Sequence, residues 1–516
     1  MNPTVPTLQR HFGLLQATAL NITQIVGAGV FITIPLMLKE LPGPYALLGW
    51  VTAGAVMVFD SLIWSELGAT LPGSGGSYLY LLECFGRHRW GRLMAFLFIW
   101  QFLISGPLEL GSGLIAIAQF SSNLGPDIAS FDKSHEQEWQ IWPEEQVSLF
   151  VSPSRIFALA MGVLIIFMLY RRIAILGKLT VTIWIGVLAA IAWVLIEGFR
   201  HFDPAVAFRS VGPPQHFASN LGAAMRLAMY SYLGYYSICY IGDEVRNPGR
   251  TIPRSILLSA LLVCLLFVGV HLAMMGTVPY SEVPIKQPAD DPVIATTTVT
   301  VAAPNAGGNS LAAVATNAAG NSKENLNNYS LPAEFMKKLH GDGWAVKLLT
   351  VLLVWTCFGS AFAGMLAYSR IPYGAARYGH FFSVFGIVHP RLAIPHISLL
   401  LVGGLTLVWS FFSLDSVITA LITTRIIEQF IGQIVGVVLL RRTQPERLRP
   451  YKMWLYPLPC ALALVGWLYM YVTARLLYIG LGLGTLVAGV VAFLYWSWLT
   501  GGWPFLKEVE LKKDIA

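Results

Sequence analysis

The chain has 516 residues, of which 55% are hydrophobic and only 12% charged, with mean hydropathy +0.63. Apolar residues come in blocks of about 20, the length that crosses a bilayer, so the composition excludes a soluble domain and defines a polytopic membrane protein. The net charge of +7 does not mark a nucleic-acid partner, because Lys and Arg are scattered through short connections between apolar blocks and build no basic domain.

In chain order, spans are expected at about 12–38, 44–71, 90–120, 153–170, 174–198, 216–241, 253–278, 344–369, 394–413, 415–440, 453–475 and 476–499. This is an all-α integral membrane protein of about twelve transmembrane helices. The first span carries N-I-T-Q-I-V-G-A-G-V-F-I-T-I-P, Asn21–Pro35, with Gly27-Ala28-Gly29 near its middle, where a plain anchor would carry Leu or Val. The helix is expected to break there. Backbone released at membrane depth is tolerated only where it lines a cavity or is buried in protein, so the break predicts a site for a small polar ligand. The half helix that follows would present free N–H groups and a positive dipole to a carboxylate. The alternative is that the glycines let a neighbouring helix pack closely. About a dozen residues precede this span, and no small-residue cleavage site follows it, so it is expected to be a retained helix rather than a signal peptide.

Arg87, Arg89, Arg92, Arg171, Arg172, Lys178, Arg246, Arg250, Arg254, Arg370, Arg377, Arg391, Arg441, Arg442, Arg447, Arg449 and Lys452 all fall on one side if the N-terminus is cytoplasmic. The loop after the third span carries Asp127, Asp132, Glu136, Glu138, Glu144 and Glu145, as suits the outward face. In the sixth span, M-Y-S-Y-L-G-Y-Y-S-I-C-Y-I-G, Met229–Gly242, crowds tyrosines and serine around Gly234, five spans after the first break. Paired interruptions in two five-helix halves are the pattern of transporters built from inverted repeats, with substrate between the broken helices. Tyr230, Tyr232, Tyr235 and Tyr236 sit too deep for all of them to form an interfacial aromatic belt. Residues 279–341 are rich in Ala, Asn, Thr, Gly and Pro without an apolar period and are expected to be a mostly disordered outward loop, with a sequon at Asn328.

Ionisable residues at membrane depth are functional suspects because burying them is costly. Glu109 of the third span is a candidate proton site or partner of a substrate amine, with pairing to a buried donor as the structural alternative. Asp60 of the second span is a second candidate proton site, against packing with a polar partner. Arg425 and Glu428 share a helical face and are expected to pair with each other. Glu66 and the Asp243-Glu244/Arg246 cluster read as interfacial ion pairs that steady an inward gate, or as a solvated face. His271 and His380 are isolated and read as a buried packing residue and a loop residue. The five cysteines, Cys84, Cys239, Cys264, Cys357 and Cys460, form no metal or disulfide spacing. No H-E-x-x-H, G-x-S-x-G or nucleotide-loop motif is present, so no enzyme, cofactor or metal site is expected.

The pair V-G-A-G-V-F-I-T-I-P and Y-L-G-Y-Y-S-I-C-Y-I-G-D-E-V-R-N-P-G-R-T-I-P-R-S-I resembles the amino acid–polyamine–organocation family of permeases. So do S-E-L-G-A-T-L-P-G-S-G-G-S-Y-L-Y after the second span, R-I-P-Y-G-A-A-R-Y-G-H-F-F-S-V-F after the eighth and R-P-Y-K-M-W-L-Y-P-L-P at the eleventh. The resemblance covers about residues 12–475. It implies secondary transport of an amino acid or related amine by alternating access. The implied architecture is a repeat at about 12–198, an inverted copy at about 216–440, and two extra helices at about 453–499, with cytoplasmic tails 1–11 and 500–516 in a cell-membrane protein.

By position, the resemblance implies that Val26, Gly27, Ala28 and Gly29 receive the substrate carboxylate, with Gln24 the polar side chain before the break. Tyr230 falls where relatives carry an aromatic gate, and the carbonyls of Tyr232, Leu233 and Gly234 would receive the ammonium. Relatives often have Ser at the place of Ala28, and an acidic or amide residue where this chain has Tyr236. The lysine that many members carry in the fifth span is replaced near Gly186-Val187. Coupling therefore stays open between proton symport, sodium symport and exchange. The substrate expected is a neutral or large amino acid. A polyamine or cationic amino acid would require Glu109 or Asp60 to face the cavity, and a non-transporting amino acid sensor is the competitor from another class.

Overall fold

The computed structural model describes residues 8–27, 29–87, 90–122, 124–142, 147–212, 214–283, 330–379, 381–412, 421, 423–474 and 476–499. Ala28, Asn328, His380 and the tail 500–516 lie outside the described residues, as does most of the long loop.

The first apolar run forms two helices, α1 (Leu14–Ile25) and α2 (Gly29–Glu40), whose axes differ by 41°. Next come α3 (Ala46–Thr70), the short α4 (Ser77–Cys84) and α5 (Trp90–Ser122). The acidic loop folds as α6 (Pro126–Ser134) and a hairpin of β1 (Gln137–Trp142) and β2 (Val147–Val151). This small sheet departs from the all-α expectation, and the Phe150 N–H donates to the Phe411 carbonyl at 2.8 Å, docking the hairpin on a distant span. Helix α7 (Pro153–Leu169) starts with Pro153 at its first turn and Ser152 accepting from the Arg155 N–H at 3.4 Å.

Beyond it run α8 (Ile173–Arg200), α9 (Pro204–Ala207), α10 (Phe217–Tyr232), α11 (Ser237–Tyr240) and α12 (Pro248–Met275). Leu331–His340 is helical, α13, with Ser330 capping it and Leu331, Phe335 and Met336 buried. The expectation of disorder through residue 341 is corrected for this stretch, because its three apolar side chains share one helical face and find a core to fill. The chain continues through α14 (Trp344–Tyr368), α15 (Arg370–Arg377), α16 (His396–Trp409), a π-helical turn at Ile426–Ile431, α17 (Gly432–Thr443), α18 (Leu458–Val472) and α19 (Leu476–Leu499).

Among the described residues, seven helices are long and apolar enough to cross a membrane, and the α1–α2 pair makes an eighth span. Helices α7, α16 and α18 are apolar but shorter. Side chains such as Leu265, Phe167, Ile185, Val472, Val487 and Val491 remain more than half exposed, which water would penalise and lipid does not. Helix α3 packs along α12, and α5 along α14; α1 sits against α8, α12 and α14, while α2 lies on α10.

One end of the bundle is sewn together by buried ion pairs. Arg370 of α15 grips Glu244 from Nε at 2.7 Å and Nη2 at 3.3 Å, and both side chains are almost wholly buried. Asp243 accepts from the Ser74 N–H at 3.1 Å. The His11 and Phe12 amides donate to the Glu244 carbonyl, and the Arg246 amide returns a bond to Phe12. Glu66, also buried, takes Arg441 Nε at 2.7 Å and the Met453 amide at 2.8 Å. Of the carboxylates expected at an interface or on a solvated face, Glu66 and Glu244 are internal, paired with Arg441 and Arg370, whereas Asp243 is half-buried and Arg246 stays at the surface.

Removing one member of a buried pair strands the other charge. Glu244→Ala is expected to destabilise the protein by about 3–5 kcal/mol. Glu282→Ala, which removes the exposed partner of Lys338, is expected to cost under about 1 kcal/mol. Thermal unfolding in detergent, comparing both variants with the parent chain, checks the contrast.

Candidate functional site

The two interruptions meet. Helix α1 ends at Ile25, and the turn beyond it is anchored by the Ser360 hydroxyl of α14, which donates to the Gln24 carbonyl at 2.6 Å. Gly27 lies so close to this serine that a Cβ there would sit 2.7 Å from it, so the small residue is required for the approach. On the opposite side, α10 stops at Tyr232 and the chain runs through Leu233–Tyr236 before α11 begins. Gly234 takes φ +109°, a region L side chains avoid, and a Cβ on it would meet Gln24 Cγ at 2.9 Å.

Side chains of α1 bind the start of α11, one through its backbone and one through a side chain. Asn21 Oδ1 accepts from the Ile238 amide at 3.0 Å, and Gln24 Oε1 accepts from the Ser237 hydroxyl. The start of α2 leaves the first amide donors of that helix without intrahelical acceptors, and the last turn of α10 leaves carbonyls free in the same way. Ser231 ties the two half helices together by a 3.0 Å contact with the Thr33 hydroxyl. Asn21 Nδ2, Thr23 Oγ1 and Gln24 Nε2 are buried with no hydrogen-bond partner, three polar atoms within the last turn and a half of α1. Other buried polar atoms of the structure also lack a protein partner, Thr70 Oγ1 among them, but these three share the end of a broken helix, where a polar ligand would complete the bonding.

The predicted residues divide. Gln24, Val26, Gly27, Gly29, Leu233 and Gly234 lie at the two breaks, with Gly29 packed on Ser231. Tyr230 is half-buried, and its hydroxyl is 2.7 Å from Ser112 Oγ of α5. Tyr232 is the last helical residue; its ring turns away to stack on Phe267 and meet Trp50 edge-on, so only its carbonyl belongs to the break. The Tyr236 ring stacks on Trp64 of α3 with centroids 4.2 Å apart, inside an aromatic cluster with Tyr235, Tyr240 and Phe430.

Glu109 is held by Arg425 and by the Tyr368 hydroxyl at 2.8 Å, and Arg425 Nε reaches Ser105 at 3.0 Å. The expected Arg425–Glu428 pair is therefore corrected: the arginine turns to the third span, because the π turn that follows it carries Glu428 off its face, where Oε2 is buried without a partner. Asp60, 1% exposed, accepts from Trp64 Nε1 at 2.9 Å and from the Tyr235 hydroxyl. His271 is buried with Nδ1 accepting from Trp50 at 3.0 Å. Among the described residues no three His, Cys, Asp or Glu side chains could hold a metal ion. Asn21, Ser237 and Ser360 escaped the sequence reading; Asn21 and Ser360 were legible only as polar or small residues inside apolar runs.

A helical membrane permease is what apolar spans, buried ion pairs and two facing helix breaks define. The chain belongs to the amino acid permease family, whose profile matches residues 12–477, within the amino acid–polyamine–organocation group. It is 26% identical over 512 residues to the cystine/glutamate transporter of Homo sapiens, covering 95% of this chain and 86% of that protein. The Asc-type amino acid transporter 1 of Mus musculus is 24% identical, over 94% and 81% of the two chains. An uncharacterized transporter of Mycobacterium tuberculosis is 23% identical over 77% and 72%. These relatives are transporters, not enzymes.

Gly234→Ala is expected to cost about 1–3 kcal/mol through the forced backbone and to abolish amino acid uptake in cells that still make the protein. Glu109→Gln and Arg425→Met should each destabilise by about 3–5 kcal/mol. The double variant should cost less than the two combined by about 1–3 kcal/mol, as read in a thermal double-mutant cycle.

Proposed function

We propose that the protein is a secondary active transporter that moves a neutral amino acid across the cell membrane by alternating access. The observation that carries this reading is the trio of unpartnered polar atoms on Asn21, Thr23 and Gln24, set beside the interruption at Leu233–Tyr236. The substrate carboxylate takes amide donors at the start of α2, Gly29 first, since a helix start favours an anion; the Val26 and Gly27 amides, expected to share this role, already donate to the Ile22 and Ile25 carbonyls at 2.8 and 3.0 Å. The ammonium takes carbonyls of Tyr232, Leu233 and Gly234, and Tyr230 covers the site as a lid that excludes water. Tyr236 contributes by positioning that stretch through its stack on Trp64.

A neutral side chain is favoured because Glu109 and Asp60, the carboxylates a cationic substrate would need, are already engaged by protein donors. The twelve-span reading adds α7, α16, α18 and the α10–α11 span to the eight above. An inverted pair of repeats, 12–198 and 216–440, is supported by contacts between spans five apart, α3 with α12 and α5 with α14. Helices within 453–499 are the additional pair, and the arginine-rich ends, termini included, face the cytoplasm.

Purified protein in liposomes, offered labelled leucine, serine, cystine, glutamate, lysine and putrescine, tests the reading. Uptake of one or more neutral amino acids, competed by the unlabelled compound, is the expected result. Uptake confined to lysine and putrescine, or binding without any uptake, would overturn it.

A further inference from the structure

Among the described residues, two deeply buried acids form no ion pair, Asp60 and Glu428 of the π turn, and of these Asp60 is the one bonded to the interrupted stretch of the sixth span. Glu66, Glu109 and Glu244 each meet an arginine, whereas the neighbours of the Asp60 carboxyl among the described residues are neutral, with bonds accepted from the Trp64 indole and the Tyr235 phenol. Trp64 is one turn along α3, and Tyr235 comes from the interrupted stretch with Tyr236 beside it. Trp467 and Cys460 approach from α18. Cys264 of α12 lies against Gly54, and His271 is bonded to Trp50 farther along α3; Glu66, nearer the sewn end, is taken by Arg441. Among the described residues no Lys, Arg or His pairs with Asp60. A carboxyl at membrane depth with neutral donors alone is a group suited to exchange a proton.

Its second contact gives that exchange a path to the substrate. Tyr235 belongs to the four-residue gap between α10 and α11, and Tyr236 rests on Trp64, so Asp60 and Trp64, four positions apart on one face of α3, hold the last two residues of the gap. We propose that Asp60 is the proton-coupling site of this transporter and that its loading is relayed to the sixth-span interruption through Tyr235. The inference rests on the transport reading above. A proton from the aqueous side adds to one carboxylate oxygen, forming an O–H bond and removing the negative charge. Tyr235 keeps its own proton, and its donated bond to Oδ2 weakens, freeing the gap to change shape. No other covalent bond forms or breaks.

The test uses the full chain in proteoliposomes, with labelled leucine, serine and cystine as probes and an inward proton gradient that is imposed or collapsed. Uptake by the parent chain should rise as the outside is acidified, by up to about tenfold per pH unit where the site titrates. Asp60→Asn, which keeps an acceptor for Tyr235 and Trp64, should retain exchange of internal for external substrate but lose both the pH dependence and the gradient-driven accumulation. Infrared difference spectra over the same pH range need no substrate: the parent chain should show a protonated-carboxyl carbonyl band that Asp60→Asn lacks and Tyr235→Phe shifts. A parent pH profile preserved in Asp60→Asn, or no Asp60-dependent carboxyl band, overturns the proposal. If Asp60→Asn does not fold, an unshifted band in Tyr235→Phe overturns it as well. Absence of uptake for every probe defeats the transport reading instead, while the infrared titration still decides whether Asp60 exchanges a proton.

Discussion

In hydrocarbon there is no water to take up a spare amide or carbonyl, so each one must be bonded within the protein. Two spans of this chain give up part of their helical ladder, and that constraint organises the centre of the molecule. Asn21 bonds the Ile238 amide, the Gln24 side chain bonds Ser237, and Ser360 bonds the Gln24 carbonyl. Two of these bonds satisfy backbone groups and the third joins two side chains, while Asn21 Nδ2, Gln24 Nε2 and the adjacent Thr23 Oγ1 stay buried without a partner.

The sewn end answers a different demand. Segments that follow the second, sixth and eighth spans, and the one that opens the eleventh, are far apart in the chain yet converge there through Glu66, Asp243, Glu244, Arg370 and Arg441. These are the stretches whose wording in the sequence carried the family resemblance. Their glycines allow backbone to approach backbone, as where the Gly75 amide donates to the Tyr240 carbonyl at 3.1 Å, and the Glu244–Arg370 pair is then almost wholly buried.

Both breaks were legible before any coordinates, because glycine-rich gaps inside apolar runs contradict the local preference for helix, and a contradiction that survives in a folded chain usually marks a site. Partners of buried charges were not legible. Arg425 sits three residues before Glu428, a spacing that favours pairing on a regular helix, but a π turn changes the angular register and a residue more than 300 positions earlier takes the arginine instead. Long-range pairing of this kind has no local signature. Nor did the tyrosines of the sixth span announce their directions: four similar rings within seven residues turn to Ser112, Phe267, Asp60 and Trp64. The hairpin and α13 were missed because short amphipathic pieces in polar loops carry too few residues for periodicity to rise above composition.

The hydroxyl contact between Thr33 and Ser231 has a mechanical consequence. It joins α2 to α10 just beyond the two gaps, while α1 and α11 are joined on the other side by Asn21 and Gln24. Contacts on both sides of the interruptions thus tie the first and sixth spans to each other, α2 to α10 and α1 to α11, so neither span can shift without loading the other.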